Sequence, residues 1–257
     1  MANMTSSAPA AQVAAELGSA PFEEIQLLVD RYREDPRVQV QKACERALKR
    51  WSKEKAEHER VDGMYRLMDE LGGSGIVVGV DEVGRGSVAG PLTVCAVCLP
   101  SNPKIWGIND SKQLTPAKRE ALASRIAIGT CHISPERIDS VGMASALRGA
   151  VAGAVADTGL EPDCVLMDGN PLGAVPNERD VVHGDAQVAC IAAASIVAKV
   201  TRDEMMVELD AEYPGYHLAQ SKGYASPDHI KAIQEHGLTP IHRVSFCGNF
   251  LQTGTLF

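Results

Sequence analysis

The sequence predicts an α/β fold, with helices on the faces of a β-sheet, preceded by a helical N-terminal extension. After residue 75, short valine-rich apolar runs typical of strands alternate with segments of helical periodicity. Before that point, residues 22–71 show helical periodicity alone, and the sequence GGSG at 72–75 interrupts it. We therefore expect an N-terminal extension over residues 1–74 and an α/β domain over residues 75–257.

The extension differs from the rest of the chain in composition and charge. Residues 1 to about 20 are rich in Ala and Ser, and we predict that they are disordered. Helices are expected from Phe22 and again after Asp35-Pro36, since proline is favoured in a first turn. Residues 31–60 hold ten Lys/Arg and six Asp/Glu, a net +4, which leaves −12 for the rest of a chain of net charge −8. This basic stretch fits either contact with duplex phosphates or a solvated helix that packs by its apolar side.

The second domain reads as strands and helices in alternation. We predict strands at 76–81, 92–99 and 129–134 and at the segments CVLMDG (164–169) and DVVHGD (180–185). We predict helices at 116–127, at 136–158, from about Gln187 to Tyr213, and at 226–237.

Three of these strands end in an acidic residue. Asp81 is followed directly by Glu82, and Asp168 and Asp185 end two later strands. Taken singly, these acids suit a solvated loop entry, a turn and a helix N-cap. Together, at the strand ends where open α/β sheets place their sites, they predict a cluster of carboxylates. Hard divalent cations such as Mg²⁺ prefer such ligands and remove the repulsion between them.

The first acidic pair leads into the turn Gly84-Arg85-Gly86. Adjacent strand residues face opposite sides, so we expect Asp81 to bridge two ions and Glu82 to contribute through a bend, a water or its carbonyl. The turn does not fit a dinucleotide fingerprint, because the next glycine is residue 90 rather than 89. Its glycines suit close approach of the backbone to a bulky ligand, with the arginine available to phosphate.

Other features point to a cytoplasmic protein with reduced thiols. The N-terminus lacks a secretory signal, and no apolar run reaches the length of a membrane span. Cys95 and Cys98 form a C-x-x-C, which suggests zinc, but positions three apart on a strand face opposite sides and no second ligand pair follows. We expect them to act as small apolar side chains.

Several motifs together resemble those of the ribonuclease HII family, over residues 76–246. They are GVDEVGRGSVAGPL, NDSKQL, MDGN, GDAQVACIAAASIVAKVTRD and SKGYASPDH with HRVSF, in that order. The resemblance implies a ribonuclease H-like fold, a mixed sheet flanked by helices. It also implies an endonuclease that cuts RNA in RNA/DNA hybrids and 5' of ribonucleotides embedded in duplex DNA, leaving a 5'-phosphate and a 3'-hydroxyl. The family uses Mg²⁺ or Mn²⁺, with two divalent ions during turnover.

The resemblance also assigns roles to individual residues. It implies that the metal ligands and catalytic acids are Asp81, Glu82, Asp168 and Asp185. Gly84, Arg85 and Gly86 would sense the ribose 2'-hydroxyl, the group that distinguishes RNA from DNA. Tyr224 would stack on the following sugar, and Lys112 would meet phosphate or support the site. The expected partners are hybrids and ribonucleotide-containing duplexes, and the expected oligomeric state is a monomer.

Departures from the family pattern all remove positive charge. His183 and Gln113 stand where lysines are usual, and Ser221 replaces a histidine. They affect the expected affinity and its salt dependence rather than the metal chemistry. Among the remaining residues, we expect the histidines to be structural or surface-exposed, with His242, beside Arg243, as the best candidate for a phosphate contact. We expect Arg202 to form an ordinary surface or interelement pair.

Two alternatives are a resolvase-type nuclease of the same fold, which cuts DNA junctions, and a non-catalytic protein that binds hybrids. The Gly-Arg-Gly turn with Tyr224 argues against the first. The presence of four carboxylates argues against the second.

Overall fold

The structure is a computed structural model that describes residues 8–109, 111, 114–123 and 127–251. The chain divides between Asp62 and Gly63 into two compact units. The helices before the sheet are α1 (Ala10–Ser19), α2 (Phe22–Tyr32) and α3 (Val38–Gly72). The predicted helices after Phe22 and after Asp35-Pro36 correspond to α2 and α3, and α3 ends at the start of the GGSG sequence.

The prediction of disorder is wrong for residues 10–19, which form α1. Val13 and Leu17 lie four positions apart on one face of this helix, and both are buried in one apolar cluster with Ile25 and Val40. Sharing a core with the neighbouring helices is what orders this Ala-rich segment. Residues 1–7 lie outside the described residues.

The predicted domain boundary at 74/75 follows the end of α3, whereas the two compact units divide inside that helix. The division into an extension and a second domain that fold separately therefore stays a prediction.

The second unit contains five strands in one sheet. They are β1 (Val77–Val83), β2 (Leu92–Cys98), β3 (Ala127–Ile133), β4 (Cys164–Asp168) and β5 (Glu178–Val181). The sheet order is β3-β2-β1-β4-β5. The pairs β1–β2 and β2–β3 are antiparallel, and the pairs β1–β4 and β4–β5 are parallel. The predicted mixed sheet flanked by helices is confirmed.

Helices follow on both sides of this sheet. They are α4 (Pro116–Ala123), α5 (Pro135–Val141), α6 (Met143–Asp157), α7 (Gly184–Gln187), α8 (Ala189–Glu212), α9 (Leu218–Ser221), α10 (Pro227–His236) and α11 (Val244–Cys247), followed by a short 3-10 helix (Gly248–Phe250). Among the described residues, no helix is both long enough and apolar enough to cross a membrane.

Two predicted helices are each divided in the structure. The segment 136–158 forms α5 and α6, because Gly142 has a φ of 77°, outside the right-handed helical region. The helix predicted from about Gln187 is preceded by α7, because Val188 is extended, with φ −117° and ψ 125°. The second break matters for function, since α7 carries Asp185.

The long helix α8 packs on β1 and β2 at close range. Ala192, Ala193 and Ala194 are fully buried there, and a Cβ atom on Gly79 of β1 would collide with the backbone of Cys190. Small residues on both elements thus set the short distance between helix and sheet. The helix α6 packs on β2 and β3 within a second apolar cluster, which includes Val94.

Candidate functional site

Two acidic residues, Asp81 and Asp168, lie near the carboxyl ends of neighbouring strands. The prediction that a third strand, over 180–185, ends in Asp185 is wrong, because β5 ends at Val181 and Asp185 lies in a helix. In the parallel pair β1–β4, Val80 lies opposite Met167, so Asp81 and Asp168 are the next residues along each strand. In the pair β4–β5, Asp168 lies opposite Val181, from which the chain continues into α7. Because parallel strands end at the same edge of a sheet, segments remote in sequence bring their acids together.

Asp185 enters the site on the short helix α7. His183 precedes this helix in a left-handed conformation, with φ 56° and ψ 39°. Asp185 lies in the first turn of α7 and is only 8% exposed. The alternative in which it caps the long helix is wrong, because Val188 holds the cap position of α8. The amide of Gly184 donates to Asp168 Oδ1 at 2.7 Å, which fixes α7 against the end of β4.

One open cleft of ≈ 390 Å³ contains the predicted site. Its lining residues are Asp81, Glu82, Val83, Gly84, Arg85, Gly86, Ser111, Asp168, Asp185, Ser195, Lys199 and Tyr224. Every predicted site residue that the structure describes is among them. Lys112 lies outside the described residues, as does Gln113. His183 and His217 are exposed and do not line the cleft.

The carboxylates of this cleft affect one another. Burial, followed by the charges of Glu82 and Asp168, raises the pKa of Asp81 to about 8, although hydrogen bonds from Ser195 and from the Glu82 amide oppose the shift. Burial also raises the pKa of Glu82, while Arg85 Nη1, 3.4 Å from Glu82 Oε1, opposes that rise. Without a cation, Asp81 therefore retains its proton near neutral pH.

The donor chemistry of the cleft suits a hard divalent cation, because carboxylate oxygens dominate it. In the described part of the chain, however, no three His, Cys, Asp or Glu side chains converge closely enough to hold one ion. Hydrogen bonds within the cleft explain part of the separation between the carboxylates. Asp81 Oδ1 accepts from the Glu82 amide at 2.8 Å, and Glu82 itself faces Arg85. Surrounding an ion would require these carboxylates to approach one another.

All three residues of the Gly-Arg-Gly turn line the cleft, but only Arg85 and Gly86 are exposed. Gly84 is buried with a φ of 84°, and a Cβ atom there would collide with the side chain of Arg202. Gly86 is exposed, and a Cβ atom there would have no atom within 4 Å. The hydroxyl of Ser87 donates to the Gly84 carbonyl at 2.8 Å and closes the turn. Arg85 and Gly86 are thus accessible to a ligand, whereas Gly84 packs against the side chain of Arg202.

Two fully buried arginines lie beneath this turn. Arg202 donates from Nε to the Pro91 carbonyl (2.9 Å), from Nη1 to the Lys222 carbonyl (2.7 Å), and from Nη2 to Ser87 Oγ (2.7 Å) and the Ala89 carbonyl (3.1 Å). Arg243 donates from Nη1 to the Arg85 carbonyl (3.1 Å) and from Nη2 to the Gly90 carbonyl (3.0 Å). Burial lowers the pKa of both guanidinium groups, that of Arg243 to about 10.

These contacts correct the expectation for Arg202 and exclude a phosphate contact by His242, whose burial agrees with the structural role expected of the histidines. Arg202 does not form an ordinary ion pair among the described residues, because its donors bind neutral oxygens. His242 and Arg243 cannot reach a phosphate on the surface, since they are only 2% and 0% exposed. Both arginines instead bind backbone carbonyls, and one of these carbonyls, that of Arg85, belongs to a residue that lines the cleft.

Tyr224 projects from a fixed backbone segment. Its side chain is exposed, and the guanidinium carbon of Arg202 lies 5.8 Å from the centre of its ring. The preceding carbonyl, of Gly223, accepts from the amides of Val88 (2.9 Å) and Ala89 (3.1 Å). The tyrosine ring and the Gly-Arg-Gly turn therefore share Arg202 as a common support.

Three residues of the cleft have no role in the predicted site. Ser111 and Ser195 share a hydrogen bond of 2.9 Å between their hydroxyls, and Lys199 pairs with Asp203. Ser195 and Lys199 lie four positions apart on α8, so their common helix face was a signal that could have found them. Ser111 belongs to the NDSKQL segment, whose carbonyls at 111 and 114 accept from Arg119 at 2.9 and 2.8 Å.

Comparison with known proteins identifies two family patterns in the chain. The model of the family "Ribonuclease HII" matches residues 78–249, and that of the "Ribonuclease HII N-terminal domain" matches residues 10–70. The ribonuclease HII of Geobacillus thermodenitrificans is 42% identical over 221 residues, covering 83% of this chain and 85% of that protein. The ribonuclease HII of Lachnoclostridium phytofermentans is 43% identical over 227 residues, covering 86% of this chain and 89% of that protein.

A solved structure supports the same assignment. The crystal structure of the ribonuclease H2 from Pyrococcus horikoshii matches with a TM-score of 0.57 and 27% sequence identity, covering 66% of this chain and 92% of that one. The predicted ribonuclease H-like fold and the predicted ribonuclease activity are therefore confirmed at the level of family. The chain belongs to the ribonuclease HII family.

Proposed function

We propose that this chain is an endoribonuclease that cuts the RNA strand of RNA/DNA hybrids and cuts 5' of single ribonucleotides embedded in duplex DNA. The products are a 5'-phosphate and a 3'-hydroxyl. The observation that carries this proposal is the presence of four acids, the Gly-Arg-Gly turn and Tyr224 in one cleft.

The acids are proposed to hold the divalent ions. Asp81, Glu82, Asp168 and Asp185 would ligate two Mg²⁺ or Mn²⁺ ions, which when bound supply an activated water and stabilise the leaving oxygen. The raised pKa of Asp81 supports this role, because a buried acid among like charges is held in its ionised form when a cation compensates it. Glu82 would leave Arg85 in order to approach an ion, which frees the arginine for phosphate.

The remaining residues are proposed to recognise the ribose. Gly86 has open space where a side chain would stand, so a sugar and its 2'-hydroxyl can approach the backbone there. The exposed ring of Tyr224 offers a surface on which the next sugar can stack. Lys112 is proposed to contact phosphate or to support the site.

The test is cleavage of duplex DNA that contains one ribonucleotide, beside an all-DNA duplex of the same sequence. We expect one cut, 5' of the ribonucleotide, and none in the control. Asp81→Asn should abolish cutting and retain binding, whereas Asp180→Asn, at an exposed acid of β5 outside the cleft, should cut like the wild type. Equal cutting of both duplexes would favour a DNA nuclease of resolvase type. Binding without cutting in either metal would favour a hybrid-binding protein.

We also propose that residues 1–74 form a separate N-terminal domain. The family model for such a domain ends at residue 70, and that of the main family begins at 78, which supports a boundary between them. Limited proteolysis tests it: cleavage should concentrate near the GGSG sequence and leave a resistant fragment that begins there.

A further inference from the structure

Two histidine side chains face each other in the interior of the second unit. His229 of α10 is fully buried and His242 is 2% exposed. Their Nε2 atoms lie 3.2 Å apart. At this distance one nitrogen must carry the hydrogen and the other must present a lone pair, because two N–H groups or two lone pairs would repel each other.

The flanking contacts fix the direction of this hydrogen bond. The backbone amide of Thr239 donates to His242 Nδ1 at 3.0 Å, so this nitrogen is an acceptor. In a neutral imidazole, Nε2 of His242 then carries the hydrogen and donates to His229 Nε2. His229 in turn carries its hydrogen on Nδ1, which lies 2.9 Å from the carbonyl of Tyr224 and donates to it. One directed chain of hydrogen bonds thus runs from Thr239 to the backbone of Tyr224.

The surroundings keep both rings neutral. Burial lowers the pKa of His229 and lowers that of His242 to about 4, and each ring is also affected by a nearby histidine. The charge of His217 also opposes protonation of His229. The ring of Tyr216 packs beside His242, with ring centres 5.0 Å apart. A second proton on either ring would place two N–H groups face to face, so the chain of hydrogen bonds requires the neutral forms.

Arg243, the residue after His242, binds the Gly-Arg-Gly turn. Arg243 donates to the carbonyls of Arg85 and Gly90, and its own amide donates to the Val88 carbonyl at 2.8 Å. Two adjacent residues therefore contact two different substrate-facing elements. His242 donates to His229, which in turn donates to the Tyr224 carbonyl. Arg243 donates directly to the Arg85 carbonyl of the Gly-Arg-Gly turn.

We propose that the dipeptide His242-Arg243, together with His229, is a positioning element that holds the ring of Tyr224 and the Gly-Arg-Gly turn in one fixed relation. This inference rests on the proposed function, since it concerns recognition of the ribose and the following sugar. Neither histidine touches the cleft, so neither takes part in the chemistry itself. Their effect is to restrict the backbone from which the tyrosine ring projects.

A purely structural role for His229 makes a different prediction from a positioning role. The comparison uses His229→Leu, which removes both hydrogen bonds, and His229→Asn, whose amide nitrogen stands at the position of Nδ1 and can still donate to Tyr224. Each is made in the wild type and in Tyr224→Ala. The kcat and KM for a duplex with one embedded ribonucleotide are measured below the melting temperature of every variant.

A positioning role predicts that His229→Leu lowers kcat/KM about tenfold, a loss typical of coupled neighbours, and that His229→Asn restores most of it. In the Tyr224→Ala background, His229→Leu should then have no further effect. An equal loss in both backgrounds, or no loss in either, overturns the proposal. If His229→Leu does not fold, His242→Asn replaces it in the same cycle, since its side-chain oxygen can still accept from Thr239 while the donor to His229 is lost.

A second measurement is independent of activity. Long-range ¹H–¹⁵N NMR of the folded wild type near pH 7 reports which ring nitrogen carries the hydrogen. We expect the Nδ1–H form for His229 and the Nε2–H form for His242. The opposite forms overturn the proposed chain of hydrogen bonds even in an active enzyme. Failure to cut a ribonucleotide with the expected NMR result would instead count against the proposed function alone.

Discussion

Gly84 lies directly against the buried guanidinium of Arg202, so closely that a Cβ atom on Gly84 would collide with Nε of that arginine. This contact couples a residue of the proposed ribose-sensing turn to the helix α8, which also carries Ser195 and Lys199 into the cleft. The two glycines of the turn therefore have different requirements. A side chain at residue 84 would collide with the protein interior, whereas a side chain at residue 86 would extend into open space.

Substituting the two glycines separates these requirements. Gly84→Ala should destabilise the fold by roughly 2 kcal/mol or more, because it adds a collision and a left-handed alanine. Gly86→Ala should retain the wild-type melting temperature, since the new methyl group has open space. It should nevertheless raise KM for a ribonucleotide-containing duplex, because the methyl occupies the approach of the sugar. Thermal unfolding and steady-state kinetics distinguish the two, and equal melting temperatures for both variants would contradict the packing argument.

Removing the charge of Asp81 should stabilise the metal-free protein. The pKa of about 8 in the folded state lies above the ordinary 3.8, so the ionised form costs stability, and this cost grows as pH rises from about 4 to about 8. Asp81→Asn should therefore be more stable than the wild type, by roughly 5 kcal/mol at pH 9 in the presence of a chelator and by less at pH 5. Denaturant unfolding at both pH values measures the difference.

Addition of Mg²⁺ or Mn²⁺ should stabilise the wild type more than it stabilises Asp81→Asn. The melting temperature of the wild type should rise with ion concentration, because ligand binding to the folded state stabilises it. Asp81→Asn should respond less, and Asp180→Asn, at an acid outside the cleft, should respond like the wild type. A similar rise in all three proteins would place the ions elsewhere.

The buried histidine pair should make stability depend on pH in the acid range. The pKa of His242 falls from 6.5 to about 4 in the folded state, so the unfolded chain binds a proton more readily. The contribution of neutral His242 to the free energy of unfolding is fully present above about pH 6.5 and is lost as pH falls toward about 4. His242→Asn should therefore show a shallower decrease in unfolding free energy between these values. Parallel curves for the two proteins would indicate that His242 titrates normally.

Arg50 should stabilise the first unit through the end of α1. Its guanidinium donates to the carbonyls of Leu17 (3.1 Å), Gly18 (2.5 Å) and Ala20 (2.7 Å), which the helix itself leaves without partners. Arg50→Ala should weaken this end by about 1–2 kcal/mol and accelerate amide exchange in α1 about 5- to 30-fold. Lys49→Ala removes the same charge at an exposed position and should leave exchange unchanged. Hydrogen exchange measured by mass spectrometry checks both.

The sequence alone determined much of the site, because its signals are local. Valine-rich segments that lead into Asp81 and Asp168, and the turn that follows Glu82, are readable from neighbouring residues, and the structure brings these residues into one cleft. Breaks in helices were harder to predict, since Gly142 and Val188 depart from helical geometry without a distinctive local pattern. The order of α1 was missed because its apolar residues are few and need partners from elsewhere.

Only the tertiary structure decided the roles of Arg202, His242 and Arg243. The sequence predicts an ordinary pair for Arg202 and makes His242, beside Arg243, the best candidate among the histidines for a phosphate contact, yet all three residues are buried. The partners of the two arginines are mainly backbone carbonyls from remote segments, such as those of Pro91 and Lys222 around Arg202. Burial and the identity of a hydrogen-bond acceptor depend on which segments pack together, and a carbonyl group is present at every residue. No pattern of side chains along the chain could therefore reveal which carbonyls these residues would bind.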